Sequence, residues 1–196
     1  MDRRKRSLMF IQRSKRYFVT LLILTVFFAL SLVGCASNNS TGSNNAEDEV
    51  KQQLTEMPNF ESTDLDGNAI TGDVFSNKKF TVVNFWGTYC SPCISEMQDL
   101  AEWSKGMEPD VQLIGVVCDV DSQDSSSFDT AVEICNSKGV KFTNVLANDS
   151  LAPAIQTLVG IPTTYIVDSN RQVVAGPIVG AQVDAYKQAL QDCLAK

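Results

Sequence analysis

The apolar residues between Pro58 and Lys196 follow two patterns, which predict alternating strands and helices. Phe80–Trp86 and Val111–Cys118 are apolar with little alternation, which is typical of strands buried on both faces of a parallel sheet. Shorter strands are predicted at Asn59–Thr63, Lys141–Leu146, Thr163–Asp168 and Gln172–Val179. Helical spacing marks residues 91–105, Ser125–Ser137, Leu151–Leu158 and Val183–Leu194. These elements predict an α/β domain built as a three-layer sandwich.

The first 57 residues have a different character. A basic run is followed by the uncharged stretch Tyr17–Val33, which has the length and flanking charge of an export signal. Residues 36–57 begin with Ser, Asn and Gly and are expected to form a flexible tether. We therefore expect a signal peptide at 1–34, a tether at 35–57 and one folded domain at 58–196.

Charge separates the same two regions. Residues 1–34 hold seven of the 16 basic side chains and one of the 23 acidic ones. The remainder keeps nine bases and 22 acids, a net charge of −13. Such an acidic body is not expected to bind nucleic acid or an anionic membrane surface through its own field.

The export signal ends in Leu32-Val33-Gly34-Cys35, which resembles the lipobox of bacterial lipoproteins. The resemblance implies that Cys35 is lipidated and becomes the mature N-terminus. The alternative is an uncleaved single-pass anchor in which Cys35 merely follows Gly34. Both interpretations place the domain on the extracytoplasmic face of the cell membrane and attached to it.

The chain has six cysteines and no histidine, so sulfur chemistry is the expected chemistry. Cys90 and Cys93 form a Cys-x-x-Cys motif where the strand Phe80–Trp86 gives way to a helix. Cys90 would lie at the helix N-terminus, where free N–H groups and the helix dipole favour a thiolate. Cys93, one turn further, can attack a mixed disulfide and release the product.

Two other interpretations of the Cys-x-x-Cys motif were considered. Half of a structural zinc site is disfavoured because the chain offers neither a second such pair nor a histidine. A static structural disulfide is the other alternative. A dithiol redox site requires no cofactor or metal, and none is expected.

With Val159-Gly-Ile-Pro162-Thr-Thr-Tyr-Ile-Val-Asp168 added to the cysteine motif, the chain resembles the thioredoxin superfamily. It is most similar to the membrane-anchored TlpA/ResA branch. The matching stretches are Asp64-Leu-Asp-Gly67, Val83 to Met97 and Gly160 to Asp168. The resemblance implies a thioredoxin-like fold with a central mixed sheet and an inserted helix and strand between residues 120 and 147.

The resemblance also implies roles for individual residues. Pro162 is expected to be a cis-proline facing the disulfide, although a rigid proline at the start of a strand is the alternative. Trp86, Ile161 and Pro162 are expected to contact the substrate, and the backbone of Ile161 offers it a short edge for strand-like pairing.

Glu96 stands three residues after the second cysteine, where the TlpA/ResA pattern has a glutamate. The resemblance implies that it relays the proton of Cys93. The alternative is an exposed glutamate that only favours the helix dipole. Asn84 stands where thioredoxins have a buried aspartate. Gln98 stands where the family commonly has a helix-kinking proline, and this difference leaves open which way the side chain of Glu96 points.

The expected activity is reduction of disulfides in exported proteins. A histidine between the cysteines would favour a strong oxidant, and this chain has Ser91-Pro92 there. The family implies a CcdA-type membrane electron donor, with apocytochrome c or methionine sulfoxide reductase as targets. The alternatives are a disulfide-forming oxidase and, from another class, a tethered solute-binding lipoprotein. Cys118, Cys135 and Cys193 are expected to serve as small apolar residues or to form a second bridge.

Overall fold

A computed structural model describes residues 53–122 and 125–196. The predicted signal peptide, Cys35 and most of the tether lie outside the described residues. No helix in the two described ranges is long and apolar enough to cross a membrane.

The strands form one large sheet and one small one. The large sheet has five strands in the order β5-β4-β3-β6-β7, and the small sheet pairs β1 with β2. In chain order the strands are β1 Glu61–Thr63, β2 Ala69–Thr71, β3 Phe80–Trp86, β4 Val111–Val117, β5 Asn144–Leu146, β6 Thr163–Asp168 and β7 Val173–Val179. Strands β3, β4 and β5 pair in parallel, whereas β6 pairs antiparallel with both β3 and β7, so the sheet is mixed as expected.

The helices are α1 Ser91–Lys105, α2 Ser126–Lys138, α3 Ala152–Ile155 and α4 Val183–Leu194, with a 3₁₀ helix at Gly72–Asn77. The bounds of β3, α1, β6 and α4 match the predicted ones. The 3₁₀ helix and β2 were not predicted, and α3 and β5 are shorter than expected. The inserted unit consists of α2 and β5, which adds an edge strand beside β4.

The apolar core lies on both faces of the large sheet. On β3, Val82 and Trp86 point to the side covered by α1, α2 and α4. The alternate residues Val83 and Phe85 point to the side covered by α3 and the segment before β1. This explains why β3 shows little alternation in the sequence, because both faces are buried. The three-layer sandwich is confirmed.

The folded domain begins earlier than Pro58. Leu54 and Met57 are buried in the core, and residues 55–57 bond to the turn before β7. Arg171 in that turn also forms an ion pair with Glu56 at 2.9 Å. Residues 54–57 were expected to belong to the flexible tether, but in the structure these side chains and hydrogen bonds hold them against the sheet.

Candidate active site

Cys90 and Cys93 form a disulfide bond at the start of α1. Cys90 is the N-cap residue, and its Sγ accepts a hydrogen bond from the backbone N–H of Cys93 at 3.2 Å. Pro92 follows in the first turn, where a missing N–H loses no intrahelical partner. Cys90 is 7% exposed and Cys93 is fully buried. The pair is asymmetric, because Cys90 keeps a small accessible surface and Cys93 keeps none.

The Ile161–Pro162 peptide bond is cis, as the resemblance to thioredoxins implies. The carbonyl oxygen of Ile161 lies 3.5 Å from Sγ of Cys90. Pro162 is buried, and its carbonyl accepts a hydrogen bond from the N–H of Gly180 at 2.8 Å. The end of β7 therefore supports the backbone that lies against the outer sulfur.

Glu96 points into the protein and is only 4% exposed. Its Oε1 accepts a hydrogen bond from Nδ2 of Asn84 at 3.0 Å, and its Oε2 is hydrogen-bonded to the hydroxyl of Tyr186 at 3.0 Å. The alternative of an exposed glutamate is therefore wrong. The missing proline at Gln98 does not turn Glu96 outward, because α1 runs without interruption.

The pKa of Glu96 is raised from 4.5 to about 7, mainly by burial and to a smaller extent by the charge of Asp99. The hydrogen bonds from Asn84, Tyr186 and the backbone of Gln182 act in the opposite direction. Desolvation is the larger effect, because it penalises the carboxylate form. Glu96 can therefore gain and lose a proton near neutral pH, which a proton relay requires.

Asn84 lies under the site at the middle of β3 and is fully buried. Its Nδ2 donates to Glu96 and, at 3.0 Å, to Oγ1 of Thr164 on β6. Its Oδ1 has no hydrogen-bond partner among the described residues. Asn84 therefore fixes the carboxylate of Glu96 without adding a second charge.

Trp86 does not lie where a substrate could touch it. Its side chain is fully buried, and its indole N–H donates to Oδ1 of Asn144 on β5 at 2.9 Å. The expectation that Trp86 contacts substrate is corrected here, because none of its surface is accessible. It links β3 to the inserted unit instead.

Accessible apolar side chains lie on the two loops that carry Cys90 and Pro162. Tyr89 is 74% exposed and Val159 67% exposed, and Ile161 is half-buried. Tyr89 and Ile161 both flank Gly87, since a Cβ there would lie 3.0 Å from Cδ1 of Ile161 and 3.3 Å from Cε1 of Tyr89. We call Tyr89, Ile161 and Val159, which lies two residues before Ile161 in the chain, the apolar rim of the site.

Two contributors to the site were missed in the sequence. Asp119 follows β4 and accepts hydrogen bonds from Thr88, two residues before Cys90. Tyr186 lies in the buried face of α4, where its hydroxyl reaches Glu96. A tyrosine among the apolar positions of an amphipathic helix is the one signal the sequence offered, since a buried hydroxyl usually has a partner.

The remaining described cysteines are free thiols. Cys135 and Cys193 are buried and Cys118 is half-buried. Burial raises the pKa of Cys118 and of Cys135 to about 12, and also raises the pKa of Cys193. They act as small apolar residues in the structure and form no second bridge. No cluster of cysteines and carboxylates suited to a metal ion occurs within 53–122 and 125–196.

The family profile described as Redoxin matches residues 52–190. Thiol-disulfide oxidoreductase ResA of Bacillus thuringiensis (strain Al Hakam) is 32% identical over 152 residues, covering 76% of this chain and 81% of that protein. ResA of Bacillus cereus is 29% identical over 180 residues, which cover 89% and 95% of the two chains.

A solved structure gives the same picture of the fold. The thioredoxin domain of a thiol-disulfide oxidoreductase from Bacteroides vulgatus superposes with a TM-score of 0.58 at 21% identity, covering 72% of this chain and 99% of that one. This likeness shows a thioredoxin fold. With the profile match and the ResA relatives, it shows that the chain belongs to the redoxin family, as a thiol-disulfide oxidoreductase.

Proposed function

We propose that this oxidoreductase is a protein-disulfide reductase attached to the extracytoplasmic face of the membrane, with Cys90 as its nucleophile. The observation that carries the proposal is the asymmetry of the pair: Cys90 is the N-cap residue and keeps 7% of its surface accessible, while Cys93 is fully buried one turn from Glu96. An exposed thiolate at a helix N-terminus attacks, and a shielded thiol resolves.

In the first step, the thiolate of Cys90 attacks one sulfur of the substrate disulfide. A mixed disulfide forms, and the other substrate sulfur leaves as a thiolate that takes a proton from water. Glu96 as carboxylate then accepts the proton of the Cys93 thiol. The Cys93 thiolate attacks Sγ of Cys90, which re-forms the internal disulfide and releases the second substrate thiolate. Two electrons pass from the dithiol to the substrate.

The substrate segment lies along the backbone of Ile161 and Pro162, with its apolar side chains on the rim of Tyr89, Val159 and Ile161. The Ile161 carbonyl 3.5 Å from Cys90 supports this, because an extended segment paired there carries its sulfur to the outer cysteine. Trp86 acts in support by holding the end of β3 in place through Asn144.

The reducing direction rests on the residues between the cysteines. Ser91 and Pro92 add no cation that would stabilise the dithiol form strongly. The internal disulfide is then reduced again by a CcdA-type membrane electron donor. Apocytochrome c thiols, in cytochrome c biogenesis, and oxidised methionine sulfoxide reductase are candidate targets. A reduction potential near about −270 mV supports this direction, whereas one near about −120 mV contradicts it and favours a disulfide-forming oxidase.

The membrane attachment follows from Cys35, at the end of the export signal. Metabolic labelling with palmitate tests it: we expect label on the wild-type protein and none on Cys35→Ala. An unlabelled wild-type protein that stays in the membrane fraction would instead support an uncleaved anchor.

The activity is tested by insulin reduction with the purified domain. We expect activity to be lost in Cys90→Ser, and Cys93→Ser to accumulate a mixed disulfide that Cys118→Ser does not. Full insulin reduction by Cys90→Ser would contradict the assignment of the nucleophile. A wild-type protein that reduces nothing and binds a small solute would favour a solute-binding lipoprotein.

A further inference from the structure

The hydroxyl of Tyr186 lies at a point where three polar groups meet. Oε2 of Glu96 is 3.0 Å from it, and the carbonyl oxygen of Gly180 is 2.5 Å from it. The backbone N–H of Gln182 donates to it at 3.1 Å. Tyr186 is fully buried, so water does not compete for these contacts.

A tyrosine hydroxyl has one proton to donate and two lone pairs that accept. Glu96 as carboxylate and the Gly180 carbonyl are both acceptors, so one proton cannot satisfy both. Burial raises the pKa of Tyr186 to about 12, so the hydroxyl keeps its proton at neutral pH. The network is complete only when Glu96 carries its own proton.

Two arrangements follow from this count of protons. With Glu96 protonated, Tyr186 donates to Gly180 and accepts from both Glu96 and Gln182. With Glu96 ionised, the Tyr186 proton turns to the carboxylate and the Gly180 carbonyl loses its donor. A bond to a charged acceptor is the stronger of the two, which drives the exchange.

Gly180 connects this exchange to the active site. Its carbonyl faces Tyr186, and its N–H donates to the carbonyl of Pro162 at 2.8 Å. Gly180 has a φ of +91°, which glycine adopts readily and other residues rarely do. The peptide groups on either side of Gly180 therefore join Tyr186 to the backbone that lies against Cys90.

We propose that Tyr186 is a positioning residue that transmits the protonation state of Glu96 through Gly180 to the Ile161–Pro162 backbone. The inference rests on the proposed function, in which Glu96 takes the proton of Cys93. When Glu96 gains that proton, the hydrogen bond from Tyr186 to Gly180 forms again. The Ile161–Pro162 backbone, which binds the substrate, thereby responds to the start of the resolving step.

An open cleft of about 750 Å³ lies between α1 and α4 and is lined by Glu96 together with other charged groups. Asp99 and Glu102 line it from α1, and Asp184 and Lys187 from α4. On the buried side of Glu96, Asn84 on β3 donates a hydrogen bond to its carboxylate and another to Thr164 on β6, and both residues are neutral. The cleft gives the Glu96 proton a route to solvent, and the charge of Asp99 favours the protonated form.

The test is an NMR titration of the oxidised protein, which needs no activity. The ¹³C signal of the Glu96 carboxyl reports its proton, and the amide and carbonyl signals of Gly180 report the link. We expect both to titrate with one midpoint in the wild-type protein. In Tyr186→Phe the Glu96 midpoint should rise by about one pH unit, because its carboxylate loses a donor, and the Gly180 response should disappear.

Tyr165→Phe is the matched control. Tyr165 is equally buried, but it packs on Phe85 in the core on the other side of the sheet. It should leave both titrations unchanged. Glu96→Gln, a neutral isostere, should abolish the Gly180 response even if Tyr186→Phe fails to fold.

A Gly180 response that persists in Glu96→Gln would overturn the inference, since Asp99 or Asp184 would then be the source. A wild-type Gly180 that ignores the titration of Glu96 would also overturn it. Coupled titration with no Cys90-dependent insulin reduction would support the proton link and overturn the proposed function alone.

Discussion

The carboxylate of Asp119 holds Thr88 through both its backbone and its side chain. Oδ1 and Oδ2 each lie 3.0 Å from the Thr88 nitrogen, and Oδ2 lies 2.5 Å from its hydroxyl. The backbone carbonyl of Asp119 accepts a hydrogen bond from Ser127 on α2 at 3.1 Å. The inserted helix is thus joined through one residue to the turn that carries Cys90.

Asp119→Ala should loosen that turn, because the Thr88 N–H loses its acceptor in a half-buried position. We expect the free energy of unfolding to fall by about 1–3 kcal/mol and the reduced Cys90 to be alkylated at an altered rate. Urea unfolding and iodoacetamide kinetics measure the two effects. Asp121→Ala, an exposed neighbour, is the control, and equal behaviour of the two variants would show that Asp119 does not hold the turn.

The raised pKa of Glu96 makes stability depend on pH. Its pKa moves from an ordinary 4.5 to about 7 on folding, so the folded state binds the proton more tightly. The resulting stability is full below pH 4.5 and is lost as pH rises through 7. We expect a loss of about 3 kcal/mol across that window. Urea unfolding at a series of pH values measures it, and a Glu96→Gln protein with the same slope would refute the attribution.

Asn84→Asp should create a coupled pair of buried acids. The new carboxyl would replace the amide that now donates to Glu96 at 3.0 Å, and two carboxylates at that distance disfavour full ionisation. We expect Asn84→Asp to be roughly 2–3 kcal/mol less stable than Asn84→Ala at pH 8, and close to it at pH 5. Equal unfolding free energies of the two variants at pH 8 would contradict the coupling.

Tyr89→Ala should weaken substrate binding without affecting the fold. The ring is largely exposed beside Cys90, so its removal should change the free energy of unfolding by less than about 0.5 kcal/mol. KM for a protein substrate should rise by about tenfold, as expected for loss of an aromatic anchor. Glutathione disulfide, which is too small to span the rim, should react at an unchanged rate. Tyr89→Phe keeps the ring, and a KM as high as that of Tyr89→Ala would rule out apolar contact as the cause.

The long elements were predictable because the order of apolar and polar residues within each of them indicates which faces are buried. Phe80–Trp86 and Val183–Leu194 each bury apolar side chains in a pattern that one stretch of sequence reveals. The strand Ala69–Thr71 and the 3₁₀ helix Gly72–Asn77 were not predicted, because they are short and contacts with distant parts of the chain define them. The cis Gly176–Pro177 bond was not predicted either.

The candidate site likewise has features that neighbouring residues specify and features that depend on distant residues. The Cys90–Cys93 arrangement depends on a helix N-terminus, which the adjacent sequence specifies. The environment of Glu96 depends on Asn84 and Tyr186, which lie 12 and 90 positions away along the chain. Spacing alone could not decide whether that carboxyl faced water or the core.

The free thiols of Cys118, Cys135 and Cys193 have a consequence for electron flow. Thiol–disulfide exchange needs a thiolate, and burial raises the pKa of each of the three. They are therefore poor relays, and neither a substrate nor an electron donor can exchange with them readily. Among the described cysteines, we therefore expect reducing equivalents to enter and leave through the sulfur of Cys90, the member of the disulfide pair that keeps some accessible surface.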